Sequence, residues 1–451
     1  MSSSSPSLKT LAFNGAIWTF VGYGTSQSLR FVSNLILTRL LAPEYFGLMA
    51  LVNTFIVGLE LFSDVGIGPS VIQNKRGDDP LFLNTAWTVQ VIRSWILWGC
   101  CLLIAFPAAY FYQEPRLVWL LPIVGLTTVI NGLSSTAGFT LRRHISLDKV
   151  TKFEASVQVV ALTLMNVWAW LSPSIWALVG GNLIAACLKT VRSHFLIPNY
   201  RNWFAWDREA LKDLFTFGRW IMLSTIMSFL AMQTDRLMLG KLVSIQMLGV
   251  YTIAFTLSDM PRQVIAIMGN TVIFPLVSKK ADLPRSELRH LILEKRWLLL
   301  VGAAFMIALL VGFGDLVTLA LYDQRYQDAG WMVTILTAGL WHTLLYSTMS
   351  PCLLGVGRPG YATCGNALRF GILALGLPLG YHWLGLPGVV LTAALSDLPM
   401  YGAVVWGLCR EKLSSVYQDV LATLVFLGVL SLVLALRYVL GYGLPLVNTL
   451  V

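Results

Sequence analysis

Thirteen stretches of this chain are apolar enough and long enough to cross a bilayer, and lysine and arginine gather at every second gap between them. A spanning helix needs about 20 mostly apolar residues. The stretches run over 11–37, 45–72, 83–110, 117–141, 151–171, 175–195, 215–242, 247–277, 297–321, 330–354, 361–383, 386–408 and 420–440. In hydrocarbon every backbone amide must be paired inside its own segment, so stretches of this length and number specify an all-α polytopic membrane protein of about 13 transmembrane helices.

The charges fix an orientation. With the amino terminus in the cytoplasm, 21 of the 32 basic residues fall on the inner side. Five fall outside, at Arg39, Arg116, Lys241, Arg325 and Arg437. Six lie within spans, at Arg30, Arg93, Arg219, Arg236, Arg262 and Arg369. This asymmetry follows the positive-inside rule and supports the span assignment, since one missed helix would invert every later loop. The net charge of +10 is thereby accounted for by orientation and anionic lipid, with no nucleic-acid partner. Trp203, Phe204 and Trp206 among Arg201, Arg208 and Lys212 predict a short interfacial helix, and 279–296 a second one. The Ser-rich start leads directly into a span too long for a signal-peptide core, so no cleavage is expected. The six cysteines show no metal or redox spacing, and they read as small apolar residues.

Shifting the chain on itself by 202 residues superposes Trp18 on Trp220, Ser26 on Ser228, Leu37 on Leu239, Gly47 on Gly249 and Thr54 on Thr256. Ser33 falls on Asp235 and Asn34 on Arg236. The first and seventh spans both run outward. Repeats of one orientation predict two six-helix lobes related by a pseudo-two-fold axis along the membrane normal, around a central cavity. The expected division is 1–200 for the first lobe, 201–413 for the second and 414–451 for an extra helix.

A charge at membrane depth costs at least about 2.5–3.5 kcal/mol, so it faces a wet cavity or a partner. Gln27, Arg30 and Asn34 share one face of the first span, and Asp235 and Arg236 open the second lobe. With Arg93 and Arg369 they form the expected substrate-binding set, because guanidinium matches phosphate as a bidentate fork. Glu60 and Asp64, Asp259 and Arg262 at i, i+3, and Asp397 are expected in coupling or gating, or in pairing helices to each other. Trp18 and Trp220 either stack on sugar rings or pack in the core. Two segments break their helices: Asp64–Pro69, rich in glycine, and the eighth span at Pro261 and Pro275. The sequence contains no GxSxG, HExxH or Walker loop, so neither a catalytic set nor a resident cofactor is expected. Transport then draws on Na+ or H+ gradients, on membrane potential or on the substrate's own gradient.

Several ordered motifs carry a resemblance. They are Gly15-Ala16-Ile17-Trp18, Thr38-Arg39-Leu40-Leu41-Ala42-Pro43-Glu44-Tyr45-Phe46-Gly47, Asp64-Val65-Gly66 with Ile72-Gln73, and Leu141-Arg142-Arg143. In the second half they are Gln233-Thr234-Asp235-Arg236, Leu239-Gly240, Leu248-Gly249-Val250-Tyr251 and Phe274-Pro275-Leu276-Val277-Ser278. Over 15–413 the chain resembles the polysaccharide-transporter (Wzx-type) oligosaccharide flippases of the multidrug/oligosaccharidyl-lipid/polysaccharide exporter superfamily. The resemblance implies a flippase of the bacterial inner membrane that moves undecaprenyl-pyrophosphate-linked repeat units by alternating access. It implies that Arg30 and Arg236 meet the pyrophosphate, and it brings in a polysaccharide polymerase and glycosyltransferases as partners. Two alternatives stand beside it: a multidrug-type ion-coupled antiporter of the same superfamily, and a membrane glycosyltransferase, polymerase or ligase. Arginines at depth weigh against the first, and the lack of a large outer loop weighs against the second.

Overall fold

The computed structural model describes residues 8–64, 66–269, 277, 283–358 and 360–445, without the side chains of 8–16, 215–224 and 268. Val65, Pro275, Lys279 and Lys280 lie outside the described residues, as do the side chains of Arg219 and Trp220. Regular structure among the described residues is entirely helical. The order is α1 (Leu8–Leu40), α2 (Pro43–Phe62), α3 (Ile67–Gln73), α4 (Pro80–Tyr112), α5 (Leu117–Gly132), α6 (Ala137–Arg143), α7 (Leu147–Leu171), α8 (Ile175–Ser193) and α9 (Arg208–Leu242). Then come α10 (Ile245–Ser258), α11 (Met260–Met268), α12 (Arg285–Leu321), α13 (Ala329–Ser347), α14 (Ser350–Gly355), α15 (Gly360–Leu395), α16 (Leu398–Arg410) and α17 (Val416–Val439).

Each of the thirteen apolar stretches contains helix among its described residues, and several are broken. Among the described residues, seven helical segments are long and apolar enough to cross a membrane, or eight if the α5–α6 pair, bent by 58°, counts as one. Neither α1 nor α9 is among them. These two carry the densest polar residues, which a helix tolerates at depth when it borders water or protein rather than lipid. The second stretch breaks between α2 and α3, where Asp64 Oδ1 accepts the Gly66 N–H at 2.8 Å and Gly66 takes φ 63°. The eighth breaks at Asp259 and the twelfth at Ser396–Asp397, each just ahead of a proline in the first turn of the next helix. Gly385, at φ 62° and ψ −140°, turns the two arms of α15 back on each other.

Contacts divide the chain into two compact units, Met1–Ile226 and Met227–Val451. The boundary falls inside α9, whereas the sequence division stands at 200/201. The repeat appears at the level of elements. α1 ends at Leu40 and α9 at Leu242, while α2 begins at Pro43 and α10 at Ile245, so both ends coincide under the 202-residue shift. Packing recurs as well. In the first unit α5 packs on α4, α2 and α8; in the second, α13 packs on α12, α10, α15 and α16.

Two interfacial elements differ from expectation. Residues 201–207 form no helix. Instead they run as a strap whose alternate N–H groups, at Trp203, Ala205 and Asp207, donate to Asn84 Oδ1, Thr88 Oγ1 and Thr85 Oγ1 of α4. Three side-chain acceptors along the start of α4 reward an extended backbone over a helical one. Residues 285–296 are likewise no separate surface helix but the first turns of the long α12.

That continuation carries Arg296 into the interior. It is 0% exposed and pairs with Asp419 of α17 at 2.6 Å. It also donates to Thr348 Oγ1 and to the Leu345 carbonyl, both at 2.8 Å. At the other end of the same helices Arg437 of α17, also buried, holds both oxygens of Asp315 of α12. The sequence count placed Arg296 in an inner loop and Arg437 in an outer one; both are interior helix–helix ties. Because start pairs with start and end with end, α12 and α17 run parallel, as the ninth and thirteenth spans of one topology must.

Candidate functional site

The first unit holds an open cavity of about 1080 Å³ among α1, α2, α5, α7 and α8. Helix α1 lines it with Thr19, Tyr23, Ser26 and Arg30, spaced 4, 3 and 4 apart and therefore on one stripe. Ser26 and Gln158 of α7 engage each other twice, Ser26 Oγ donating to Oε1 at 2.7 Å and Nε2 donating to the Ser26 carbonyl at 2.9 Å. This reciprocal pair ties α1 to α7. Arg30 faces the same cavity and has no hydrogen-bond or ion-pair partner among the described residues. Glu60 of α2 and Lys189 of α8 line it too. Arg142 and Glu154, paired at 2.7 Å, lie at the end that the charge pattern places inside the cell.

Other predicted residues of this unit stand apart from the cavity. Gln27 and Asn34 share α1 with Arg30 but are not lining residues. Arg93 of α4 reaches the end of α2, donating through Nε to Ser63 Oγ at 2.9 Å and through a terminal nitrogen to the Glu60 carbonyl. A cation there satisfies carbonyls that the last turn leaves open. Asp64 closes the turn after α2. Trp18 lies under the ammonium of Lys152, 4.9 Å from the ring centre.

The second unit gathers most of its predicted charges. Asp235 is buried and accepts from Tyr251 Oη at 2.9 Å and from the Arg236 N–H at 2.8 Å. Arg236 turns away from it, donating to Gln233 Oε1 at 2.6 Å and lying 5.2 Å from the centre of the Phe255 ring. Its Nε is buried without a hydrogen-bond partner. Asp259 and Arg262 pair as their spacing suggests, with Nη2 donating at 2.9 Å, and Gln263 donates to the same carboxylate at 3.0 Å. Arg369 of α15 stands 3.0 Å from Asp397, which accepts from Thr343 Oγ1 at 2.7 Å. Both pairs border one small space of about 30 Å³, room for about one water.

These two pairs come from one repeated local sequence. Ser258-Asp259-Met260-Pro261 and Ser396-Asp397-Leu398-Pro399 each end one helix and start the next. Both breaks face α13, and an arginine balances each aspartate. The Ser-Asp-x-Pro repetition is plain in the sequence once looked for, but a residue-by-residue search for charges passes over it. Asn53, Asn131 and Asn182, neutral amides that line the cavity of the first unit from α2, α5 and α8, carry no charge to mark them in the sequence. Among the described residues no group of histidine, cysteine, aspartate and glutamate could hold a metal ion.

A polar, partly cationic cavity within membrane-crossing helices is a place for a polar group in transit. It offers an unpaired guanidinium, an ammonium, amides and the Glu60 carboxylate. Comparison with known proteins agrees with a transport architecture. The chain is 21% identical over 361 residues to the teichuronic acid biosynthesis protein TuaB of Bacillus subtilis, covering 79% of this chain and 74% of that protein. It is 22% identical to the succinoglycan biosynthesis transport protein ExoT of Rhizobium meliloti, covering 76% of this chain and 68% of that one. Among solved structures, the lipid II flippase MurJ in an inward closed conformation superposes with a TM-score of 0.68 at 13% identity, over 94% of this chain and 99% of MurJ; this likeness is one of fold. A model of the family described as polysaccharide biosynthesis protein matches residues 36–337, well over half the chain. The chain is a multi-pass membrane protein that belongs to the polysaccharide biosynthesis protein family.

Proposed function

We propose that this protein is a flippase that moves polyprenyl-pyrophosphate-linked oligosaccharide repeat units across the bacterial inner membrane for surface polysaccharide assembly. The observation that carries the reading is the cavity of about 1080 Å³ in the first unit with Arg30 unpaired on its wall. An uncompensated guanidinium at membrane depth is costly, and an anionic head group removes that cost while it is bound. The relatives named for surface-polysaccharide biosynthesis and transport support the substrate class. Head groups are built by glycosyltransferases at the inner face and consumed by a polymerase at the outer face. The amino terminus is cytoplasmic. Without a nucleotide-binding loop in the sequence, the work comes from a Na+ or H+ gradient, from membrane potential or from removal of the product.

The test is made in a strain deleted for the gene. Lipid-linked repeat units should accumulate on the inner leaflet, and the full chain should relieve the accumulation. Arg30→Ala should fail to relieve it while the protein remains in the membrane at wild-type level. Arg30→Lys should relieve it in part, because lysine keeps the charge but loses the bidentate fork. Relief by Arg30→Ala equal to wild type would remove the cavity from the transport path. A deletion that changes drug efflux but not lipid-linked intermediates would favour the antiporter reading.

A further inference from the structure

We infer that Asn53, Asn131 and Asn182 form a glycan subsite in the cavity of the first unit, separate in its chemistry from the arginine that takes the phosphate. The inference rests on the flippase reading and assigns the part of the substrate that these residues contact. Each amide comes from a different helix, α2, α5 and α8, and all three line the same cavity. Helix α5 packs against both of the others, so the three stand on adjoining walls.

Their bonding sets them apart from Gln158, the other amide that lines the cavity. Gln158 is fully engaged with Ser26. Asn166 of α7, which does not line the cavity, donates to Ser33 Oγ and the Leu162 carbonyl, both at 2.7 Å, and its own oxygen is buried with no hydrogen-bond partner. The side chains of Asn53, Asn131 and Asn182 make no hydrogen bond among the described residues, and the Asn131 carbonyl oxygen is buried with no hydrogen-bond partner. A buried polar group left unpaired is expensive, and proteins pair nearly all of theirs. That cost falls on the Asn131 oxygen; Asn182 is half-buried and Asn53 exposed, and the three amides together offer donors and acceptors to a ligand in one cavity.

A carboxamide presents one acceptor oxygen and two donor hydrogens. Vicinal sugar hydroxyls and acetamido groups present the same mixture and match it face to face. A phosphate offers acceptors only and can use just the donor half of an amide. A hydrophobic drug uses neither. The chemistry that satisfies all three side chains is thus a neutral polyhydroxyl, the glycan itself, with Arg30 left for the anion that links it to the lipid.

The experiment uses the full-length protein in lipid nanodiscs and two probes: lipid-linked repeat units extracted from the source strain, and undecaprenyl pyrophosphate without sugar. Wild-type protein should bind the glycan-bearing lipid more tightly than the bare one. Asn53→Leu, Asn131→Leu and Asn182→Leu, which keep approximate size and lose hydrogen bonding, should each weaken glycan-lipid binding about 3- to 10-fold. Each should leave binding of the bare pyrophosphate unchanged, which doubles as the check that the variant is folded. Should a leucine variant lose the bare lipid as well, the milder Asn→Ser replacement at that position repeats the comparison. Arg30→Gln should weaken both probes alike. If the variants bind the glycan lipid as well as wild type does, the subsite is wrong and the flippase reading stands. If wild-type protein binds neither lipid, the flippase reading fails and the subsite with it.

Discussion

Arg296 and Asp419 form the most deeply buried ion pair described in the chain, 0% and 3% exposed, and Arg437 with Asp315 forms its counterpart at the far end of α12 and α17. Removing one partner strands the other charge, so Asp419→Asn or Arg296→Leu should destabilise the protein by about 3–5 kcal/mol. The joint replacement Arg296→Leu with Asp419→Leu should recover much of that loss, since a desolvated pair repays little beyond its own desolvation cost. Thermal unfolding in detergent, followed by tryptophan fluorescence, checks both. Outside the membrane, hydrogen bonds from Arg76 to Asp79 and Asp207, at 2.8 and 2.7 Å, hold both carboxyls below the usual carboxylate range. A lowered folded pKa gives stability above the unfolded value of about 3.9 and loses it as pH falls through the folded value. Arg76→Gln should therefore melt below wild type at neutral pH, with the gap closing in strong acid. Charges such as Arg30 and Glu60 were legible in the sequence because each interrupts an apolar run. Arg296 and Arg437 were not, because they lie at the ends of runs, where a charge is as natural in a loop as in a helix. The cavity asparagines were hidden for another reason: a neutral amide leaves no mark in a search for charge.

The helical hairpin of α15 depends on close backbone approach. A Cβ at Gly388 would stand 2.0 Å from the Gly380 carbonyl oxygen, whereas one at Gly402 in α16 would meet nothing within 4 Å. Gly388→Ala should accordingly cost about 1–3 kcal/mol or more through overpacking and lower the yield of monodisperse protein in detergent. Gly402→Ala should be neutral or slightly stabilising, as alanine is the better helix former. Helix breaks were largely legible, since glycine or proline marks those after α2 and α10. The strap at 201–207 was not, because aromatic and basic residues in sequence describe an interface without saying whether the backbone there is helical. The deciding contacts come from Asn84, Thr85 and Thr88, more than a hundred residues earlier.

At the scale of the molecule, α1 and α9 end, and α2 and α10 begin, 202 residues apart, and each of the two units carries its own polar centre. The first centre is a roomy cavity with an unpaired arginine; the second is a small, internally neutralised cluster at two helix breaks. Under the proposed function the first receives the head group, while the second balances the protein's own charges. Hydropathy and charge made the class of molecule legible, because the bilayer imposes them on any chain that crosses it. Which of the polar faces encloses a cavity was not legible, because that depends on how helices far apart in sequence pack together. The central claim is tested by reconstituting the purified protein into liposomes with lipid-linked repeat units in both leaflets. The measurement is the fraction of glycan reached by an added, membrane-impermeant glycosidase. Wild-type protein should raise that fraction from the outer-leaflet share to nearly the whole pool, and Arg30→Ala should leave it at the outer-leaflet share. A fraction that wild-type protein does not raise above protein-free liposomes, under an imposed Na+ gradient, proton gradient or membrane potential, would contradict the account.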